Sequence, residues 1–456
     1  MNCIFTLPFF LANFILLTCQ FLHSCGKIKS IYCVEGERLM KMSRDALSGI
    51  TMAAGGLAAI TAAAMMLQQA GMDFAGSFTA VLVLSLTATV LSVYMGSPLV
   101  VTPSLSMTGY LVFIVAISHG LGWQAMLGIS FLASALGAIV WQLGSQWLKK
   151  GVGAVFTWAV RIALAVFLIY LGLKMGRIII TSAWQVTMLG DSSDPLMYWS
   201  MAGVVLTAAL VAAGWRWALL AGMLITGMIS LAEGFWVIPQ TPFFLPMGWD
   251  KVIGQFALPM NKMQDSTFAF VSILSMGVML SAVHWSTVTA FAGQEGAART
   301  VKLLFAAGVV GAILGTPPLV ISPTMSVGKA KNRAGVFMAA AIFAAALFCE
   351  PILAAIADFP AMVVPVLVGT GVLLLLETLS FCPLADNEAE RRAEMLAVTI
   401  MVLLLPLTGN FATALGSSVI GYVLSMSMAG KGRQVTGVIW LISGIFTLYY
   451  IYGSIF

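Results

Sequence analysis

PLVVTPSLS, residues 98–106, and PLVISPTMS, residues 318–326, are one nonapeptide written twice in the chain. Five of the nine positions are identical, and the other four exchange V/I, T/S, S/T and L/M. Helix geometry alone demands no such match. Each copy runs from a proline through three aliphatic residues to a hydroxyl residue, a second proline and a hydroxyl-rich tail. Pro103 and Pro323 remove a backbone donor and push the preceding residue toward extended backbone. The pattern predicts a short extended piece in each half, leading into a half-helix that starts at Ser104 or Thr324.

The surroundings of the two copies are apolar. Of 456 residues, 60% are hydrophobic and only 9% charged, with a mean hydropathy of +1.01. A soluble domain carries about 25% charged residues. Apolar runs recur at the length of about 20 residues that a helix needs to cross a bilayer. They are continuous rather than alternating, so the spans are helices and not a barrel. They fall at 47–68, 75–95, 104–118, 123–146, 155–177, 197–214 and 217–236, then at 266–291, 301–315, 324–330, 333–356, 360–378, 395–408 and 411–428. A last segment covers 434–455. The expected fold is an all-α polytopic membrane protein of about 14 segments in a seven-plus-seven repeat, with extended pieces in the third and tenth. Seven crossings separate the two copies, an odd number, so the copies lie inverted in the membrane. Inverted repeats with a solute site near the midplane are a common transporter plan.

The divisions read as 1–43, a hydrophobic N-terminal extension of open role; 44–236, the first repeat; 237–265, a polar loop with Pro239, Pro242, Pro246 and Trp249, read as external; 266–430, the second repeat; and 431–456, a C-terminal hydrophobic segment. The net charge of +5 is scattered in short breaks such as Lys149/Lys150, Arg216, Arg299/Lys302, Lys329/Lys331/Arg333, Arg391/Arg392 and Lys431/Arg433. That is the positive-inside signature of cytoplasmic loops, and it places Arg44 in the cytoplasm. It is not a nucleic-acid footprint. Four of six cysteines lie in the first 33 residues, without a CxxC or a His/Cys cluster. Neither a metal site, a redox motif nor a cofactor is expected.

Free N–H groups at a half-helix start, at its positive dipole end, suit a polar or anionic solute. Thr102, Ser104, Ser106 and Thr108, with Ser322, Thr324 and Ser326, supply hydroxyls there, although Ser and Thr also glue helices together. His284 lies inside an apolar span, where ionisable groups are expensive and face a cavity. Its imidazole could bind a solute or carry a proton, or bond a backbone carbonyl as a structural group. Trp285 could stack on a planar base or simply pack. Glu233, Glu350 and Glu377 stand at span ends, and Asp73 and Asp358 in loops. Gly55–Gly56 reads as a close-packing site, since no phosphate-loop pattern accompanies it. No nucleophile–base pair argues for an enzyme.

From about Gly49 to Ala429 the chain resembles the nucleobase–cation symporter group of xanthine/uracil permeases, most closely its AzgA-like hypoxanthine/guanine/adenine branch. AGMDFAGSFTAVLVLSLTATVLSVYMGSP (70–98) resembles that family's second helix, and IALAVFLIYLGLKMGRIII (162–180) its fifth. TPSLSMTGY (102–110), followed by GWQAMLGISF (122–131), stands at its APGMGLNA-type motif. GTPPLVISPTMSVG (315–328) stands at its GTSPVTSYIESAAG-type motif, and PLTGNFATALGSSVIGYVL (406–424) resembles its ending. The resemblance implies a core domain, a gate domain and two short strands crossing beside the substrate. The chain departs from it where the family's two acids stand: one falls in VHWSTVTAF (283–291), on Trp285 or, with a one-residue shift, His284, and the other on Thr324. The family's Asn falls on Thr108.

The function read from this is a secondary transporter of purine-type nucleobases in the cell (inner) membrane, coupled to a proton or sodium. A homodimer is left open. The alternatives are a same-fold transporter of a different small or anionic solute, and a divergent homologue that does not transport.

Overall fold

The computed structural model describes residues 28–455, except 152, 183–186, 216, 247, 259–262, 292 and 329–332. Most of the extension 1–43, and Arg216, Lys329 and Lys331 of the charge pattern, therefore lie outside the described residues. The helices are α1 Ile28–Gln69, α2 Phe74–Tyr94, α3 Leu105–Gly109, α4 Gly122–Gly151, α5 Ala154–Met175, α6 Pro195–Ala212 and α7 Ala218–Ala232. The second half gives α8 Met263–Phe291, α9 Gly293–Leu314, α10 Met325–Gly328, α11 Arg333–Ala346, α12 Glu350–Asp358, α13 Val363–Leu379, α14 Glu388–Thr408 and α15 Phe411–Met428. The C-terminal segment forms α16 Gly437–Ile455. The strands are β1 Val101–Pro103, β2 Ile179–Thr181, β3 Thr187–Leu189 and β4 Leu319–Ile321. Beyond Gly109, α3 widens into π-helical turns over Tyr110–Ser118.

Among the described residues, nine helices are long and apolar enough to span a membrane, or ten with α11 and α12 taken as one bent span. The apolar run 333–356 is broken by an 87° bend before Glu350. Pro351 sits in the first turn of α12, where its missing N–H costs nothing. Asp358, read as a loop residue, closes that helix. Leu105–Ser118, Ala218–Ala232 and Gly437–Gly453 are apolar but shorter. The third and tenth segments are short because strands take up part of their path, as the twin prolines predict.

Helices α1–α4 and α8–α11 pack as one bundle, and α5–α7 with α13–α15 as a second. Small residues set the closest approach within the second. A Cβ on Gly371 of α13 would lie 2.7 Å from the Ala165 carbonyl of α5, and one on Gly172 of α5 would lie 2.7 Å from Val368 Cγ2. Helix α16 lies against both bundles, touching α15 on one side and α8 and α4 on the other. Asp73 caps α2 through Gly76 N and pairs at 3.1 Å with Lys251 from the 237–265 stretch.

Gly371→Val would press its side chain against a backbone oxygen that cannot turn aside. Overpacking of this kind costs about 1–3 kcal/mol. The purified variant is expected to melt several degrees lower, which a thermal-denaturation scan in detergent checks.

Candidate functional site

The two copies of the repeat meet at the centre of the molecule. Helices α2 and α9 each end on a left-handed glycine, Gly96 and Gly315, with φ of +84° in both. The N–H of the following residue reaches back five positions, Ser97 to Ser92 O at 3.0 Å and Thr316 to Gly311 O at 2.8 Å. Only glycine takes this backbone cheaply. The chain then turns inward as β1 or β4, and the strands pair antiparallel, Val101 opposite Ile321, Thr102 opposite Val320 and Pro103 opposite Leu319. Val101 and Ile321 are also equivalent positions of the nonapeptide. The pseudo-two-fold axis relating the halves therefore passes through that pair.

Ser104 N donates to Pro318 O at 2.9 Å, and Ser322 N donates to Val100 O at 2.8 Å. The alternation of an antiparallel ladder leaves Val101, Pro103, Leu319 and Ile321 facing outward from the ribbon. Several of these outward groups are answered from neighbouring elements. Pro103 has no N–H to satisfy. Val101 N donates to Thr89 Oγ1 at 3.0 Å. Ser92 Oγ accepts from Leu99 N at 3.1 Å and donates to Leu99 O at 2.7 Å. His284 stands 3.0 Å from Leu319 O through Nε2; a carbonyl only accepts, so Nε2 carries the hydrogen. His284 is buried, edge-on to Phe305 at 4.8 Å. It does what the structural reading of the sequence allowed.

In front of the ribbon lies a cavity of about 50 Å³ between the two bundles. It gathers Thr102, Ser104, Ser106, Ser322 and Thr324. Ser104 Oγ and Ser106 Oγ are 3.4 Å apart, and Ser322 Oγ and Thr324 Oγ1 2.7 Å. Gly55 is the floor: a Cβ there would come within 2.1 Å of Thr324 Cγ2, so the glycine pair read as a packing site lets α1 lie against the repeat. Thr108 turns back to Ser104 O at 2.8 Å, and Ser326 lies outside the lining. His284 is behind the ribbon, and Trp285 faces another cavity.

The two half-helix starts differ. Ser104 caps α3 without using its hydroxyl, and the first N–H groups of a helix have no partner within it. In the second copy Met325 N and Ser326 N are spent on Ser322 O and Pro323 O, both at 3.1 Å. The open N–H groups expected at both starts are thus a property of the first.

Four contributors escaped the sequence reading. Phe167 and Phe291 line the cavity, Arg161 borders it from α5, and Thr370 reaches it from α13. Arg161 Nε donates to Ser286 O at 2.8 Å, and its terminal nitrogen to Thr289 Oγ1 at 2.7 Å, tying α5 to α8. Its signal was there: the one charge in the apolar stretch 155–173. Among the described residues, no Asp or Glu lines the cavity. The hydroxyls of Thr102 and Thr370, one from each bundle, are buried with no partner among the described residues.

An inverted pair of helix-capped strands, buried in a multi-pass bundle beside a hydroxyl-lined cavity, defines a membrane transporter of the cell membrane. Relatives carry the same class. No protein-family model matches the sequence. A Methanocaldococcus jannaschii protein named as a permease is 25% identical over 403 residues, covering 85% of this chain and 90% of its own. The Bacillus subtilis guanine/hypoxanthine permeases PbuO and PbuG are 23% identical over 81% and 78% of this chain, and over 88% and 82% of their own lengths. The transmembrane domain of the cyanobacterial bicarbonate transporter BicA shares the fold, with a TM-score of 0.57, 12% identity and coverage of 80% of this chain and 96% of its own. The chain is related along most of its length to permeases, as its motifs implied.

Replacing His284 with Leu strands the Leu319 carbonyl, and an unsatisfied buried acceptor costs about 1–3 kcal/mol. His284→Gln, whose amide can donate, is expected to recover part of that loss, read as melting temperature.

Proposed function

We propose that this chain is a permease for purine nucleobases, working as a secondary transporter and not an enzyme, coupled to a proton or sodium and able to pair as a homodimer. The observation that carries it is the cavity: a ring of hydroxyls at the strand crossing, with Phe167 and Phe291 beside it. Aromatic faces take a planar ring, and hydroxyls can donate or accept against its nitrogens and oxygens. The kinship with PbuO and PbuG supports the same solute class. Candidate binding residues are Thr102, Ser104, Ser106, Ser322 and Thr324, joined by Thr370. Thr108 braces that set through Ser104, and His284 holds β4 behind it.

One observation favours a second reading, a same-fold transporter of an anionic solute. Arg161 borders the cavity and, among the described residues, no carboxylate does, so the lining has a positive bias. The two readings part in a single assay. Cells lacking their own purine permeases should take up labelled hypoxanthine and guanine saturably once they carry this protein, and a protonophore or sodium removal identifies the coupling. Saturable uptake of a labelled small anion, with no nucleobase uptake, selects the second reading. Thr102→Val and Thr370→Val each delete a hydroxyl worth about 0.5–1.5 kcal/mol, so each is expected to raise the half-saturation concentration about 2- to 10-fold.

A further inference from the structure

Helix α8 has two lined faces. Val283, Thr287 and Phe291 border the hydroxyl cavity. The opposite face, with Gly277, Val278, Ser281 and Trp285, borders a second cavity of about 230 Å³. Its other walls are Leu136 and Val140 of α4, Phe156 and Val160 of α5, and Leu415 and Val419 of α15. Helix α16 closes it with Ile439, Leu441 and Ile442. The cavity therefore sits where both bundles and the C-terminal helix meet.

Water has little reason to enter. The two hydroxyls in the lining are already used within their own helices: Thr157 Oγ1 donates to Ala154 O at 2.7 Å, and Ser281 Oγ to Gly277 O at 2.8 Å. An apolar cavity of about 150 Å³ stays dry and takes apolar molecules such as benzene or xenon, and this one is larger. Apolar walls gain dispersion contacts from an apolar group that fills the space between them. Two lining residues also lie at the outer surface, Val140 at 40% exposure and Leu441 at 66%. Val140 belongs to the membrane span Gly122–Gly144, so the medium outside that opening is lipid hydrocarbon.

We propose that this cavity is a lipid site that takes one acyl chain of a membrane phospholipid, entering sideways between α4 and α16. The chain supplies those contacts and lies at the junction of the two bundles. Trp285 is its built-in reporter, in the lining and 5.5 Å from Trp141.

The test uses the whole protein reconstituted into vesicles of phosphatidylcholine brominated on its acyl chains. The emission lost in Trp285→Phe isolates the share of Trp285, and that share should be quenched by more than half. Gly277→Leu fills the cavity from within; a Cβ there meets nothing closer than 3.6 Å, so the backbone accepts it. This variant should cut the quenching of Trp285 at least twofold. An unquenched Trp285, or quenching unchanged by Gly277→Leu, overturns the site. Should that variant fail to fold, Ser281→Leu serves the same purpose. Lipid retained through native mass spectrometry gives the second readout: one phospholipid fewer on the filled variant supports the site, and an equal number overturns it. Neither readout depends on transport.

Discussion

The fold turns on a ribbon of two three-residue strands placed where lipid would otherwise be. Non-helical backbone is tolerated at that depth only when each N–H and C=O finds a partner inside the protein. Pairing β1 with β4 answers part of those groups at once. Of those that point away from the ribbon, Val101 N is met by Thr89 of α2 and Leu319 O by His284 of α8, while Ser92 of α2 holds Leu99 just ahead of β1. Proline at position 103 removes a further demand. A crossing of this kind is costly to leave incomplete, because an orphaned buried acceptor costs about 1–3 kcal/mol.

Placing the ribbon there determines where a solute can sit. Two strands entering from opposite sides cannot fill the space that two full helices would, and the half-helix behind β1 begins at the gap. Small residues keep the gap open in front: Gly55 brings α1 up to Thr324 without blocking it. The second bundle closes the other side with Phe167 and Thr370. Arg161 then crosses from the second bundle to the end of α8, so the two bodies touch through a charged group as well as through packing.

Much of this was legible in the residues, and the limits have physical reasons. The nonapeptide and its prolines announced the extended pieces, because proline acts on its own neighbours. Gly55–Gly56 announced close packing for the same local reason. The role of His284 was visible only as one of two alternatives, since its acceptor at Leu319 lies 35 positions away. Arg161 was passed over because its partners are more than 120 positions distant. The bend before α12 hid in an apolar run that reads as one span, although Pro351 marks a helix start as readily as a kink. The inequality between the two half-helix starts is not in the letters at all, for their sequences are nearly the same.

That inequality has a consequence. The axis through Val101 and Ile321 relates the two membrane faces, so a local difference between the copies is a difference between inside and outside. Among the described residues, the opening amides of the first copy have no capping side chain, while the second has folded its own into a turn. Near-identical peptides in two shapes mean that the surroundings, and not the nine letters, choose the shape. The site is thus two-sided, with unlike donors presented by like sequences.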